Sequence, residues 1–493
     1  VNRLIPLILA VALFMENMDS TVIATSLPAI ALDIQTSPIA LKLALTSYLV
    51  SLAIFIPVSG WMADRFGAKT IFRAAIGVFV VGSIGCAVSN SLGAFVLARF
   101  VQGIGGAMMT PVGRLVLVRA TPKRDLVSAM AWLSIPALVG PLVGPPVGGF
   151  ITTYFSWHWI FLINVPIGII GIALATKFLP EMEREPTPPL DLIGFLLSGV
   201  AASGVVFGLS VVSLPALPPM TGYVTVVFGL VACALYLAHA RRARNPLLAL
   251  DLFRNQAFRV SVMGGSLFRI GIGAVPFLLP LMFQLAFGLS PFESGMITFV
   301  AALGAIGMKF VTAWIFRMAG FRRVLIVGSL VAACTVAVNG LFTPQTSYAL
   351  MLLAIFLGGF VRSMFFTGIN ALTYAEVPPE QTSKATPIAA VAQQLSIALG
   401  VALAGGILEV QAGLRGGALT LGDFHVAFFI VATVSATAAF WFFRLDSDAG
   451  SAVSGYRGRA ARTVRTIRSS GGPTESDDQS FEDVRPRKSL ASR

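Results

Sequence analysis

Two acids, Glu16 and Asp19, stand in an otherwise apolar run that begins near residue 5. On a helix they share one face at i, i+3 spacing and differ in height by about 4.5 Å. An acid at the centre of a membrane helix costs about 2.5–3.5 kcal/mol to insert, so its presence there marks a functional candidate. Desolvation and a neighbouring acid both favour the protonated form of a carboxyl. A carboxyl that loads and releases a proton near neutral pH is the minimum equipment for proton coupling. Arg99 is the natural partner. Counted from the ends of their apolar runs, Asp19 and Arg99 both lie about 9 Å below the same surface. An approaching guanidinium favours the charged acid and expels its proton.

These residues need membrane helices to hold them, and the composition supplies them. The chain has 493 residues, 56% of them hydrophobic and only 12% charged, against about 25% charged in soluble domains. Apolar stretches of about 20 residues, each long enough to cross a bilayer, recur fourteen times, the first starting near residue 5 and the last near 423. The net charge of +13 is not a nucleic-acid footprint, because the bases gather in alternate loops. Arg65, Lys69 and Arg73 form the first group, then Arg119, Lys123 and Arg124, then Lys177 and Arg184. Arg241 to Arg259, Arg317 to Arg323, Lys384 and the tail continue the series, while the intervening loops hold little beyond Lys42 and Arg415. The positive-inside rule then puts both termini in the cytoplasm.

Cys86, Cys233 and Cys334 stand inside apolar stretches at unrelated spacings, and the three histidines lack ligand spacing. Neither a disulfide framework nor a metal site is expected. No small-residue cleavage site follows the first stretch, which runs on to Pro28 and Asp33.

The expected fold is an all-α polytopic membrane protein built from two six-helix bundles, residues 1–180 and 258–444. Between them, residues 181–257 form a linker with two inserted spans and a basic loop. The polar tail, 445–493, is expected to be disordered, with Arg457, Arg459, Arg462, Arg465 and Arg468 placed to meet anionic lipid. The two bundles resemble each other at a nearly constant offset. Leu27-Pro28 answers to Leu279-Pro280, Ser37-Pro38 to Ser290-Pro291, Gly67 to Gly320, Lys69 to Arg322, and Leu97-Ala98 to Leu353-Ala354. Duplicated halves of this kind characterise secondary transporters, whose substrates bind between them near mid-membrane. Arg269, Arg362, Gln102 and Gln393 are candidates to face that cavity. Arg114 and Lys309 lie nearer the membrane surface, where long bases snorkel. More bases than acids in the core point weakly to anionic or zwitterionic substrates.

One stretch breaks the rules for a soluble helix: Gly140-Pro141-Leu142-Val143-Gly144-Pro145-Pro146-Val147-Gly148-Gly149. Gly140, Gly144 and Gly148 line one face and let another backbone come close, and Pro141 and Pro145 favour a bend. The expectation is a tight seam between moving parts, with Gly149 off the seam and more tolerant of substitution.

The loop Gly60-Trp61-Met62-Ala63-Asp64-Arg65-Phe66-Gly67-Ala68-Lys69 resembles the major facilitator signature G-x-L-A-D-R-x-G-R-K, departing at Met62 and Ala68. Arg99-x-x-Gln102-Gly103-x-Gly105-Gly106-Ala107 is similar to that superfamily's fourth-helix motif, and the 140–149 stretch to its fifth-helix antiporter motif. Asp19-Ser20-Thr21-Val22 with Leu27-Pro28 resembles its first-helix pattern. The run Trp157-His158-Trp159 to Asn164 and Gln393-Gln394-Leu395-Ser396 point to the fourteen-helix drug/proton antiporter branch, near its MdtD-like and HsrA-like exporters, which usually have Gln where Glu16 stands.

The resemblance implies a proton-coupled exporter of small amphipathic molecules in the plasma membrane, driven by the proton motive force with no cofactor. An uptake symporter or facilitator of the same fold is the alternative. A membrane enzyme is disfavoured, since no nucleotide loop or nucleophile–base set appears in any loop. The expected partners are a small-molecule substrate, protons and the lipid bilayer, with no nucleic acid. A lone monomer and a protein joined to a periplasmic adaptor both stay open. The resemblance also gives Gly60, Asp64, Arg65, Gly67 and Lys69 a gating role. Asp64 is expected against the N-terminus of a helix in the other half, for which Thr386-Pro387 is the nominee as cap and first-turn proline.

Overall fold

A chain this apolar has to satisfy its backbone within each segment, and all the regular structure among the described residues is helical. The computed structural model describes residues 4–122, 126–181, 187–417 and 419–456. Lys123, Arg124, Arg184 and the five tail arginines named above lie outside the described residues.

The helices in order are α1 (Leu4–Val22), α2 (Leu27–Asp33), α3 (Lys42–Phe66), α4 (Ala68–Ala87), α5 (Leu92–Ala120), α6 (Leu126–Tyr154), α7 (His158–Leu162) and α8 (Asn164–Phe178). Then come α9 (Leu192–Val212), α10 (Pro219–Ala240), α11 (Gln256–Gly273), α12 (Val275–Leu281), α13 (Pro291–Asn339), α14 (Tyr348–Ala375), α15 (Thr382–Leu414), α16 (Leu421–Phe442) and the short α17 (Ser451–Ser454). Among the described residues, 12 helices are long and apolar enough to cross a membrane. One of them, α13, is 49 residues long and carries a non-helical break at Gly320.

That break repeats an earlier one. Gly67, between α3 and α4, has φ 94° and ψ 127°, and Gly320 has φ 74° and ψ 163°. Positive φ with extended ψ is territory almost confined to glycine. The equivalence of Gly67 and Gly320 in the sequence is therefore an equivalence of backbone: two helices meet at a sharp corner that a side chain would strain. Both corners lie at the end of the bundle that carries Arg65, Lys69, Arg322 and Arg323, here called the basic end.

The inserted pair α9 and α10 packs on itself through backbone. A Cβ on Gly204 would stand 2.7 Å from Gly229 Cα. Asp191 caps α9, its carboxylate accepting from Gly194 N–H at 2.9 Å, and pairs with His239 at 2.7 Å. The pair is not a free appendage. Ala202 and Val206 of α9 share one buried apolar cluster with Val50 and Ile54 of α3 and Ala398 of α15.

Gly67→Ala and Gly320→Ala should each cost about 1–3 kcal/mol, read as lower unfolding temperatures of the detergent-solubilised protein. At Gly320 the loss should be larger, because its Cβ would also meet the Tyr456 ring at 2.9 Å.

Candidate functional site

Asp19 is completely buried, near the end of α1. Arg99 Nη1 donates to its Oδ2 at 2.7 Å. Gln102 Nε2 and Asn164 Nδ2 donate to its Oδ1 at 2.9 and 2.8 Å. The two amides also reach Ser83 Oγ, at 2.8 and 3.2 Å, and Arg99 Nη1 donates to Gln102 Oε1 at 2.5 Å. The guanidinium lies over the Tyr48 ring, 4.4 Å from its centroid. Helices α1, α3, α4, α5 and α8 thus converge on one carboxylate. Arg99 Nε and Asn164 Oδ1 are buried without a hydrogen-bond partner among the described residues, so the cluster is tight but not saturated. The contact between Asp19 and Arg99 follows from their matched depth. Ser83 has no sequence signal, and Asn164 appears in the sequence only as the end of a motif with no role attached.

Glu16 does not join the cluster. It accepts from Thr110 Oγ1 at 2.6 Å and lines a cavity of about 520 Å³ at the centre of the bundle. Arg99, Arg362 and Gln393 line the same cavity, with Lys309. Two of the residues expected there are elsewhere. Gln102 is buried, its amide consumed by Asp19, Ser83 and Arg99. Arg269 is 4% exposed and turned onto α14, donating to Asn370 Oδ1 at 3.3 Å and lying over the Phe366 ring. Depth is readable from sequence, but rotation about the helix axis is set by packing.

The loop at 60–69 also departs from expectation. Asp64 accepts from Arg119 Nη2 at 2.8 Å, within its own half. The nominated partner is not a helix start: α15 begins at Thr382, and Pro387 lies inside it. The residue before a proline is normally kept from helical geometry, yet Thr386 continues the helix, its hydroxyl bonded to Thr382 O at 3.0 Å. Lys69 pairs with Glu181 at 3.0 Å, while Arg65 is exposed. Gly60 has nothing within 4 Å of an added Cβ.

Helix α6 divides its glycines between two neighbours. Gly140, Gly144 and Gly148 face α1, where an added Cβ would meet Asn17 Cβ at 2.9 Å, Thr21 Cβ at 3.0 Å and Val22 Cγ2 at 2.7 Å. That seam is internal to the first half. Gly149 is the one that crosses: its Cβ would stand 2.8 Å from Phe292 Cα of α13. Gly295 of α13 reciprocates, facing the Pro145 carbonyl, with Pro145 C at 3.0 Å. Gly149 is therefore packed as closely as Gly144 and Gly148 rather than being more tolerant, and the helix stays continuous through Pro141 and Pro145.

Bonds between the two halves gather at this end, opposite the basic one. Phe292 N–H donates to Thr153 Oγ1 at 3.1 Å, and Gln284 Nε2 to Thr25 O at 2.9 Å. Lys42, fully buried at the start of α3, pairs with Glu409 of α15 and donates to Ser213 Oγ at 2.9 Å. Ser213, which closes α9, donates in turn to Glu409. Arg415 pairs with Asp423 at 2.9 Å. The two bases that stood out in otherwise base-poor loops are both neutralised by acids.

A buried ion cluster on a pore-facing helix, beside a central cavity between two similar sets of membrane helices, defines a membrane transporter. The chain belongs to the Major Facilitator Superfamily, whose family model matches residues 9–401 and 261–474. It is 38% identical over 423 residues to the "Putative multidrug resistance protein MdtD" of Pectobacterium carotovorum subsp. carotovorum (strain PC1), covering 85% of this chain and 90% of that one. The protein of the same name from Escherichia coli (strain K12 / DH10B) is 36% identical, covering 90% and 94%. The fold is also that of a D-xylose-proton symporter (TM-score 0.66, 16% identity, 91% of this chain and 98% of that one). The POT family transporter PepTSo gives a TM-score of 0.67 at 17% identity, with 90% and 97% covered.

Two outcomes are expected here. Glu409→Gln leaves Lys42 buried without a counter-charge and should destabilise the protein by about 3–5 kcal/mol, whereas Lys42→Met with Glu409→Leu should recover most of it. Thermal unfolding in detergent measures both. Gly149→Ala should prevent the opposite end from closing, so that a cysteine placed in the cavity reacts faster with a membrane-impermeant maleimide added from that side.

Proposed function

We propose that this transporter exports small amphipathic molecules in exchange for protons, by alternating access across a bacterial inner membrane. It does so with fourteen spans and both termini in the cytoplasm. The break at Gly320 supports the count by dividing α13 into two spans, and α6, 29 residues long, supplies a further one. The alternate-loop bases support the orientation, with the basic end cytoplasmic.

The observation that carries the coupling is the pairing of Asp19 with Arg99, because Arg99 also lines the cavity. While Arg99 is bound, the guanidinium is the counter-charge to Asp19. When rocking of the halves or an arriving substrate draws Arg99 away, a proton is the replacement counter-charge that a buried carboxylate can accept. Gln102, Asn164 and Ser83 hold the carboxylate in place through the exchange. Return of Arg99 displaces the proton towards whichever side is then open. The seal at Gly149, Gly295 and Lys42–Glu409 closes the outer face in the state described, leaving the cavity on the cytoplasmic side of it. The names of the relatives support drug-like substrates, and the direction is export.

Everted membrane vesicles given an imposed pH gradient and a panel of amphipathic dyes of both charges test this reading. Wild-type vesicles should accumulate at least one dye. Asp19→Asn should abolish accumulation at unchanged expression, while Glu16→Gln, outside the cluster, should keep most of the rate. Accumulation against the gradient by Asp19→Asn would remove Asp19 as the coupling site.

A further inference from the structure

The charged side chains lining the cavity are Glu16, Arg99, Lys309 and Arg362. Two have partners: Arg99 is paired with Asp19, and Glu16 accepts a hydrogen bond from the Thr110 hydroxyl. Arg362 and Lys309 have no ion pair or hydrogen bond among the described residues. Both belong to the second half, on neighbouring helices that run in the same direction. Ser363 Oγ donates to Ala305 O at 2.8 Å, which sets the register. Arg362 adjoins Ser363, and Lys309 is one turn beyond Ala305, about 6 Å along the axis. The two cations therefore start about 7.5 Å apart along the axis, Lys309 nearer the basic end, a gap that side chains of this length can span within the cavity they both line. Gln393 and Gln394 of α15 line it as well, and Phe277, Ile397 and Val401 supply apolar wall.

Arg362 is half-buried and Lys309 opens onto the cavity; a guanidinium partly withdrawn from water gains from a counter-charge, and the described residues provide none. Pairs of this kind favour what a guanidinium fork and a nearby ammonium both accept, an oxyanion. The lone acid on the lining, Glu16, is on α1 in the other half, and its carboxylate is occupied by Thr110.

We infer that the cavity is an oxyanion site: the transported molecule carries a carboxylate, phosphate or sulfonate received by Arg362 and Lys309, with an apolar body against Phe277, Ile397 and Val401. This rests on the transporter reading above and narrows it. The substrate is an amphipathic anion rather than the lipophilic cation that a cavity lined by free acids would select. Division of labour follows. The first half carries the proton on Asp19, the second half carries the cargo's charge, and rocking of one against the other couples them.

The test uses the purified full chain in phosphatidylcholine nanodiscs, with carboxyfluorescein as the anionic probe and rhodamine 6G as a cationic one of similar ring system. Fluorescence polarisation should show carboxyfluorescein binding that weakens at least about tenfold in Arg362→Gln and further in Arg362→Gln with Lys309→Gln. Arg362→Lys should keep part of it, and unfolding temperatures should stay close to wild type. Nanodiscs containing phosphatidylglycerol separate two sources of the same chemistry. Displacement of the dye by that lipid names a lipid headgroup as occupant, and undiminished binding names a free anion, the site being anionic either way. Tighter binding of rhodamine 6G than of carboxyfluorescein, no carboxyfluorescein binding, or binding indifferent to the double substitution overturns the inference. Dye flux in everted vesicles judges the other reading separately. Anion binding without flux would keep this site and remove the exporter, and flux confined to the cation would do the reverse.

Discussion

A charge inside a bilayer has to find its counter-charge within the protein, and three charged groups inside the bundle organise this molecule by how they do so. Asp19 takes a guanidinium and two amides, drawn from two other helices. Lys42 takes Glu409, 367 residues away in the chain. Arg362 takes nothing from the described residues. The first arrangement fixes the interior of one half and the second joins the halves at one end. The third leaves a place for a mobile partner.

These arrangements differ in what breaking them requires. The Asp19 cluster can lose Arg99 and still keep two amide donors, so a proton is enough to replace the departing charge. Lys42 and Glu409 have no comparable reserve beyond Ser213. Separating them means wetting both, at several kcal/mol for each ion. The contact of Gly149 and Gly295 with the facing backbone adds no charge and no side chain, only close approach. The end opposite the basic loops is thus held by one costly contact and several inexpensive ones.

Sequence reasoning located elements better than faces. Apolar run length anticipated an all-helical membrane fold, with 12 helices long and apolar enough to cross a membrane among the described residues, and the equivalence of Gly67 with Gly320 proved to be one of backbone. Arg99 was matched to Asp19 because rise per residue fixes depth. Depth says nothing about rotation, which is why Gln102 and Arg269 were assigned to a cavity they do not face. Rotation also separates Gly149 from Gly148: adjacent residues on a helix point about 100° apart, so one faces α1 and the other α13. The pairing of Lys42 with Glu409 had no local trace at all. Lys42 reads as a base in a connecting loop, and Glu409 carries no signal until the fold brings the start of α3 beside the end of α15. Thr386-Pro387 misled for a different reason, since its cap-like pattern is overridden by a helix that starts at Thr382.

The inserted hairpin bears on mechanics. Helix α9 is glued to α3 on one side and α15 on the other by a shared apolar cluster, and its last turn ends on the Lys42–Glu409 pair. A displacement that parts α3 from α15 must therefore peel α9 off at least one of them. The hairpin is in that sense a strap: the apolar area it buries against α3 and α15 is an added cost on any separation of the two.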